Sequence, residues 1–152
     1  MKRLIQRPDY HPESFPHWTE IKIRFRDLDP LNHVNNAVFN TYFEEARINF
    51  VQSVKMFRDS MTQGKSFVLV HMELDYLKPI LYGESILIGS ALDELGNSSI
   101  KGFQAIYDQE SKELKAVCKT TGVWFDLKTQ RPTRIPQIDQ PEKYLFKKIS
   151  NG

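Results

Sequence analysis

The sequence predicts an α+β domain in which one long helix covers one face of an antiparallel sheet. Three observations carry this. Ile21, Ile23 and Phe25 alternate with Lys22, Arg24 and Arg26, the period of two that marks a half-buried strand. Val38, Phe39, Tyr42, Phe43, Ala46, Phe50 and Val51 then recur at helical spacing, with Asn40, Glu44, Glu45, Arg47 and Asn49 falling largely elsewhere. From Ser66 onward the chain reads as strand and turn, and consecutive strands joined by short turns favour antiparallel pairing.

Taken in order, residues 1–18 hold Pro8, Pro12 and Pro16 among Tyr10, Phe15 and Trp18. Regular proline prevents a helix, so an extended arm packing by its aromatics is expected. The helix is expected over residues 36–54, and a short helical or irregular piece over 55–63, ending near Gly64. Residues 67–77 alternate, placing Val68, Val70, Met72, Leu74 and Tyr76 on one face and Leu69, His71, Glu73, Asp75 and Leu77 on the other. Pro79 and Gly83 punctuate the exit. Further strands are expected at 84–92, 98–108 and 113–126, with Gly96-Asn97 as a turn. From Arg131 to Pro141 three prolines predict a chain that leaves the sheet and runs over the surface. The expected organisation is an arm (1–18), a domain (19–136) and a tail (137–152).

The 152 residues suit one domain, and 40% hydrophobic with 26% charged is a globular composition. Twenty-one basic against 19 acidic side chains give a net charge of +2, so no strong field calls for nucleic acid or an anionic membrane. A single cysteine, Cys118, excludes an internal disulfide framework and a multi-cysteine zinc site; placed within a strand, it reads as a buried small apolar residue rather than a nucleophile. The amino end carries no apolar run of signal-peptide length, and no stretch approaches a membrane span, so a cytoplasmic location is expected.

The chemistry lies in DLDPLNHVNNAVFNTYFEEAR, residues 27–47. Asp27 and Asp29 precede a helix start marked by the capping-type residues Asn32, Asn35 and Asn36. A helix start presents unpaired N–H groups and partial positive charge. A carboxylate beside it can attack a carbonyl, or activate water to do so, while those N–H groups hold the carbonyl oxygen. An aspartate there is also an ordinary cap or dipole partner, and spacing alone does not separate the two.

The segment resembles the acyl-CoA thioesterase family that includes the hydroxybenzoyl-CoA thioesterases and bacterial long-chain acyl-CoA thioesterases. That family's pattern is an Asp, a short turn, a His-Val-Asn-Asn-like stretch, and an aromatic helix ending in Glu-Ala-Arg. Here these are Asp29, then His33-Val34-Asn35-Asn36, then Tyr42-Phe43-Glu44-Glu45-Ala46-Arg47. The likeness continues weakly through FVLVHMELDYLKPILYGESI and more clearly in GVWFDLKTQRPTRIP, spanning about residues 19–136. The resemblance implies a hotdog fold: a curved antiparallel sheet of about five strands wrapped around one long central helix. It implies assembly as dimer or tetramer with active sites at the subunit interface, and hydrolysis of acyl-CoA to free acid and CoA without metal or organic cofactor. The family's catalytic carboxylate matches Asp29, and its oxyanion donor matches the backbone N–H of Asn36 or its neighbours. Many relatives carry glycine or another residue where Asn32 stands, a departure that bears on the turn.

Beside these, His33 is expected to support the loop or contact the thioester, and Asn35 to organise the helix start. Asp27 reads as a solvated or strand-end charge. Tyr42 packs in the core with a secondary role in lining the acyl pocket, and Glu44 with Arg47 has the spacing of a helical ion pair. His71, Glu73 and Asp75 share a strand face, better read as solvated or intersubunit than as a metal site. Lys78, Ser98, Ser99 and Lys101 stand near turns and are candidates for the phosphates of CoA, against the plain alternative of surface residues. Two other functions fit the same pattern: an acyl-carrier-protein thioesterase, and a non-catalytic acyl-CoA-binding module.

Overall fold

The computed structural model describes residues 9–149. The elements are β1 (His17–Lys22), α1 (Asn36–Ser53), α2 (Lys55–Met61), β2 (Lys65–Tyr76), β3 (Ser85–Leu95), β4 (Ser99–Asp108), β5 (Leu114–Asp126) and the short β6 (Arg131–Pro132). The sheet runs β1-β3-β4-β5-β2, antiparallel throughout, with β6 on the end of β5. This is the hotdog arrangement, with α1 lying in the curl of the sheet.

α1 begins where Asn35 caps it, the Asn35 side-chain oxygen accepting from the Ala37 N–H at 2.9 Å. Its stripe of Phe39, Tyr42, Phe43 and Ala46 packs on Ile86, Ile88, Ile106, Ala116 and Cys118, the inward positions of the three central strands. Its last turn continues that core through Phe50 and Val51 to Phe57 of α2 and to Trp124, whose indole N–H donates to Ser60 at 2.9 Å. The helix ends at Val54, and Gly64 turns the chain into β2 with a positive φ of 81°.

A helix covers one sheet face only, and the two ends of the chain cover the other. Tyr10, Phe15 and Phe146 pack on Phe103, Ala105, Tyr107 and Val117 of the outer face. The described part of the arm, residues 9–18, therefore packs by its aromatics as expected, while residues 1–8 lie outside the described residues. It includes a 3-10 turn at Pro12–Ser14, and β1 begins already at His17. A Cβ on Gly89 would come within 2.5 Å of the Phe15 ring, so this glycine lets the arm approach. The tail returns as well: the Phe146 N–H donates to the Leu92 carbonyl at 2.7 Å, and the Lys147 N–H to that of Ser14 at 3.0 Å. No helix among the described residues is long and apolar enough to cross a membrane.

Three expectations need correction. The stretch from Arg131 does not leave the sheet at once, since Arg131–Pro132 pairs with β5 and Ile138 is buried beside Trp124. Phe25 does not continue β1; it opens a 3-10 turn, Phe25–Asp27, and is 77% exposed, because the chain must bend there to reach the helix start. Nor does β2 keep one inward face. The register with β5 shifts between Leu69 and His71, leaving Val70 as an unpaired bulge. The inward residues are Phe67 before it and Met72 and Leu74 after it, while Val68 and Val70 are exposed.

Candidate active site at the start of the long helix

The loop between β1 and α1 is built around two carboxylates with different tasks. Asp27 is 2% exposed, so the expectation of a solvated charge is corrected. It accepts from the Tyr42 hydroxyl at 2.7 Å, from the Arg24 amide at 3.0 Å and from the Arg24 guanidinium at 3.0 Å. Burial pushes its carboxyl up, but these donors outweigh burial and hold it below the usual carboxylate range. Its own carbonyl receives the Asn35 N–H at 2.9 Å, which fixes the residue that caps α1.

Asp29 is half-buried and sits on the loop itself. Its Oδ1 accepts from the Leu31 amide at 2.8 Å and the His33 amide at 3.2 Å, while its own N–H donates to the His33 carbonyl at 2.7 Å. One carboxylate oxygen thus orients the side chain, and Oδ2 takes no hydrogen bond among the described residues. Asn32 closes the turn with a φ of 62°, its N–H on the Asp29 carbonyl at 3.0 Å. Glycine suits such a conformation and asparagine tolerates it, so the departure noted in the sequence keeps the turn. His33 holds the loop through its backbone, in a bridge to Leu81, and the Val34 N–H donates to the Ile80 carbonyl at 2.8 Å.

At the helix start, the Ala37 amide goes to the Asn35 side chain and the Val38 amide to the Asn35 carbonyl. The Asn36 N–H, first in the helix, has no acceptor among the described residues. The carbonyl of Asn36 accepts from the Tyr76 hydroxyl at 3.1 Å, tying the end of β2 to this corner. The arrangement offers a held carboxylate and an open amide donor on one loop-helix junction, the parts that acyl transfer needs.

The remaining sequence candidates separate by location. Tyr42 is buried, with its hydroxyl committed to Asp27. Lys78 is exposed in the segment 77–84, which packs against the Asp29 loop. Ser98, Ser99 and Lys101 lie around the β3–β4 turn, at the opposite end of the sheet from Lys22 and Ser85. Ten residues of β3 separate those ends, about 33 Å. Lys101 is near Glu94 at 3.9 Å, and His71 near Glu73 at 3.3 Å. Burial pushes the Cys118 thiol up to about 12, so it stays protonated at neutral pH.

A buried polar group around Arg47 went unrecognised in the sequence. Glu44 and Arg47 do not form the expected ion pair; Arg47 turns inward, 8% exposed, and donates to the Gln104 side chain at 3.1 Å. Gln104 in turn donates to the Phe43 carbonyl at 3.1 Å and the Ser90 hydroxyl at 3.0 Å. The signal was present, because Arg47 falls four residues from both Phe43 and Val51, on the buried stripe.

Comparison with known proteins agrees with this architecture. Residues 23–141 match the model of the thioesterase-like superfamily. The chain is 32% identical over 113 residues to the long-chain acyl-CoA thioesterase FadM of Escherichia coli, covering 74% of this chain and 86% of that protein. It is 27% identical to the Arabidopsis thaliana acyl-acyl carrier protein thioesterase ATL3, covering 79% of this chain but 63% of that one. Among solved structures, a Thermus thermophilus thioesterase crystallised with coenzyme A and zinc is 38% identical, with a TM-score of 0.72 over 87% of this chain and 94% of the other. With the family model spanning most of the sequence and the solved structure agreeing in overall fold, the chain belongs to the thioesterase-like superfamily, as a thioester hydrolase on a hotdog fold.

Proposed function

We propose that this protein hydrolyses acyl-CoA thioesters to a free acid and CoA, with Asp29 as the working carboxylate. The observation that carries the reading is the division of labour within Asp29: Oδ1 is held by two loop amides, and Oδ2 is left open at a helix start whose first N–H is also open. Oδ2 either takes a proton from water as water adds to the thioester carbon, or adds to that carbon itself and is released by water afterwards. In both routes the carbonyl oxygen gains negative charge, which the Asn36 N–H and the helix dipole stabilise. The carbon–sulfur bond then breaks, and the thiolate leaves without needing a strong acid. His33 and Asn35 position the loop and the helix start. The similarity to a long-chain acyl-CoA thioesterase and to a thioesterase crystallised with coenzyme A supports CoA as the carrier.

The subunit works as part of an oligomer in this reading. β2 is an edge strand of 12 residues with Val68, Val70 and Tyr76 exposed, a surface suited to pairing with a second copy. Lys78 serves the nucleotide of its own subunit's site, whereas Ser98, Ser99 and Lys101 reach a CoA only across a subunit interface. A carrier-protein substrate is the second reading, favoured by the similarity to ATL3. Thiol release from a panel of acyl-CoAs and matched acyl-carrier-protein thioesters tests both: turnover of the CoA series supports the proposal, and preference for the carrier protein favours the second. A protein inert on every member is a binding module.

A further inference from the structure

The Asp29 loop is held from one side by the segment 77–84, through the His33–Leu81 bridge and the Val34 N–H on the Ile80 carbonyl at 2.8 Å. That segment is held in turn by one residue of β5. Between β4 and β5 the register shifts, Ile106 pairing with Ala116 and Tyr107 with Leu114, so Lys115 is the extra residue of a bulge. Its carbonyl accepts the Leu77 and Lys78 N–H groups at 2.9 and 3.0 Å. Its ammonium reaches the Pro79 carbonyl at 3.1 Å, Glu84 at 3.3 Å and Glu113 at 3.1 Å. The bulge therefore turns both the backbone and the side chain of Lys115 to the segment that carries Ile80 and Leu81.

Lysine is seldom buried this completely: the Lys115 side chain is 7% exposed. Burial pushes its ammonium toward the neutral form, but Glu113 and Glu84 outweigh burial and hold it above the usual lysine value, so it stays charged. Glu84 Oε2 is buried as well, with Lys115 as its ion pair. Such a pair holds its members to one geometry, because parting them strands a buried charge. Glu84 and Pro79 belong to the segment, whereas Glu113 stands at the hairpin before β5 and is half-exposed. We infer that Lys115 is a positioning residue for the hydrolysis. It seats the segment 77–84, the segment seats the Asp29 loop, and Lys115 thereby sets how the Asp29 carboxylate stands at the helix start. This rests on the thioesterase reading above and adds to it a residue from outside the loop-helix motif.

The test measures hydrolysis of tetradecanoyl-CoA and amide hydrogen exchange in wild type, Lys115→Met and Glu113→Gln. In Lys115→Met kcat should fall by about ten- to a hundredfold, the cost of a small misplacement of a reacting group. KM should stay within about threefold, because the Lys115 carbonyl still holds Leu77 and Lys78. The His33 and Val34 amides should exchange about tenfold faster or more, while the Phe43 amide in α1 keeps its wild-type rate. Glu113→Gln removes an ion pair of the same lysine without touching the segment, and should leave kcat and exchange unchanged. If Lys115→Met fails to fold, Lys115→Met/Glu84→Met, which strands no buried carboxylate, should show the same loss of kcat. Wild-type kcat in the lysine variant overturns the inference and leaves the thioesterase reading standing. So does faster exchange spread evenly over the protein, or an equal loss of kcat in Glu113→Gln. A wild-type protein that releases no CoA overturns both.

Discussion

The Tyr42 hydroxyl donates to Asp27 across 2.7 Å, joining the core stripe of the long helix to the turn that leads into the Asp29 loop. Helix, 3-10 turn and Asp29 loop are thereby tied together, because the backbone of the same Asp27 also fixes the Asn35 cap. Tyr42→Phe removes a donor to a buried charge and should cost about 1.5–3 kcal/mol of stability. Chemical denaturation at neutral pH checks this through the midpoint, with an unchanged slope expected.

The same carboxylate gives the protein an acid-sensitive contribution to stability. Burial acts to raise the Asp27 pKa, but the Tyr42 and Arg24 donors hold it below its unfolded value, so the folded state favours the ionised form. That contribution is present above the unfolded carboxylate value of about 4 and is lost as pH falls through the lower folded one. Asp27→Asn abolishes the titration. The stability difference between wild type and Asp27→Asn should be largest near neutrality and shrink below pH of about 4.

Asn32 adopts a left-handed conformation at the tip of the Asp29 loop. Asn32→Gly should leave stability nearly unchanged, since glycine meets no penalty at that φ. Asn32→Val should cost about 1–2 kcal/mol or more, because a branched Cβ clashes there. Thermal unfolding of the pair, read beside hydrolysis rates, shows whether the turn also sets the carboxylate.

Phe43 is fully buried between α1 and the three central strands. Phe43→Ala should destabilise by about 3–5 kcal/mol through lost contact and the void left behind. A smaller loss in equilibrium unfolding would mean that α1 is less tightly held than its packing indicates.

Most of the architecture was legible because it follows from local patterns. The helix over 36–54 and the four later strands come from apolar periodicity, and they fall within a few residues of the observed α1, β2, β3, β4 and β5. What escaped was set by tertiary contacts. The bulge at Val70 moves the inward face of β2 from Phe67 to Met72, and no residue type there announces it. Asp27 looked like a solvated charge because its partners come from three residues upstream and fifteen residues downstream. Arg47 looked like half of an ion pair because Glu44 has the right spacing, whereas Gln104, its actual partner, arrives from β4. In the candidate site, the motif singled out Asp29 and the Asn35–Asn36 helix start. The hydrogen bonds that orient that carboxylate needed the fold.

The most direct test is hydrolysis of a long-chain acyl-CoA by Asp29→Asn, measured as thiol release and set beside its thermal unfolding. The variant keeps the shape and the loop amide bonds but loses the carboxylate, so turnover should fall by roughly 10²–10⁴-fold while the unfolding midpoint stays within a few degrees of wild type. Wild-type turnover in that variant would contradict the account, since some other group would then be activating water.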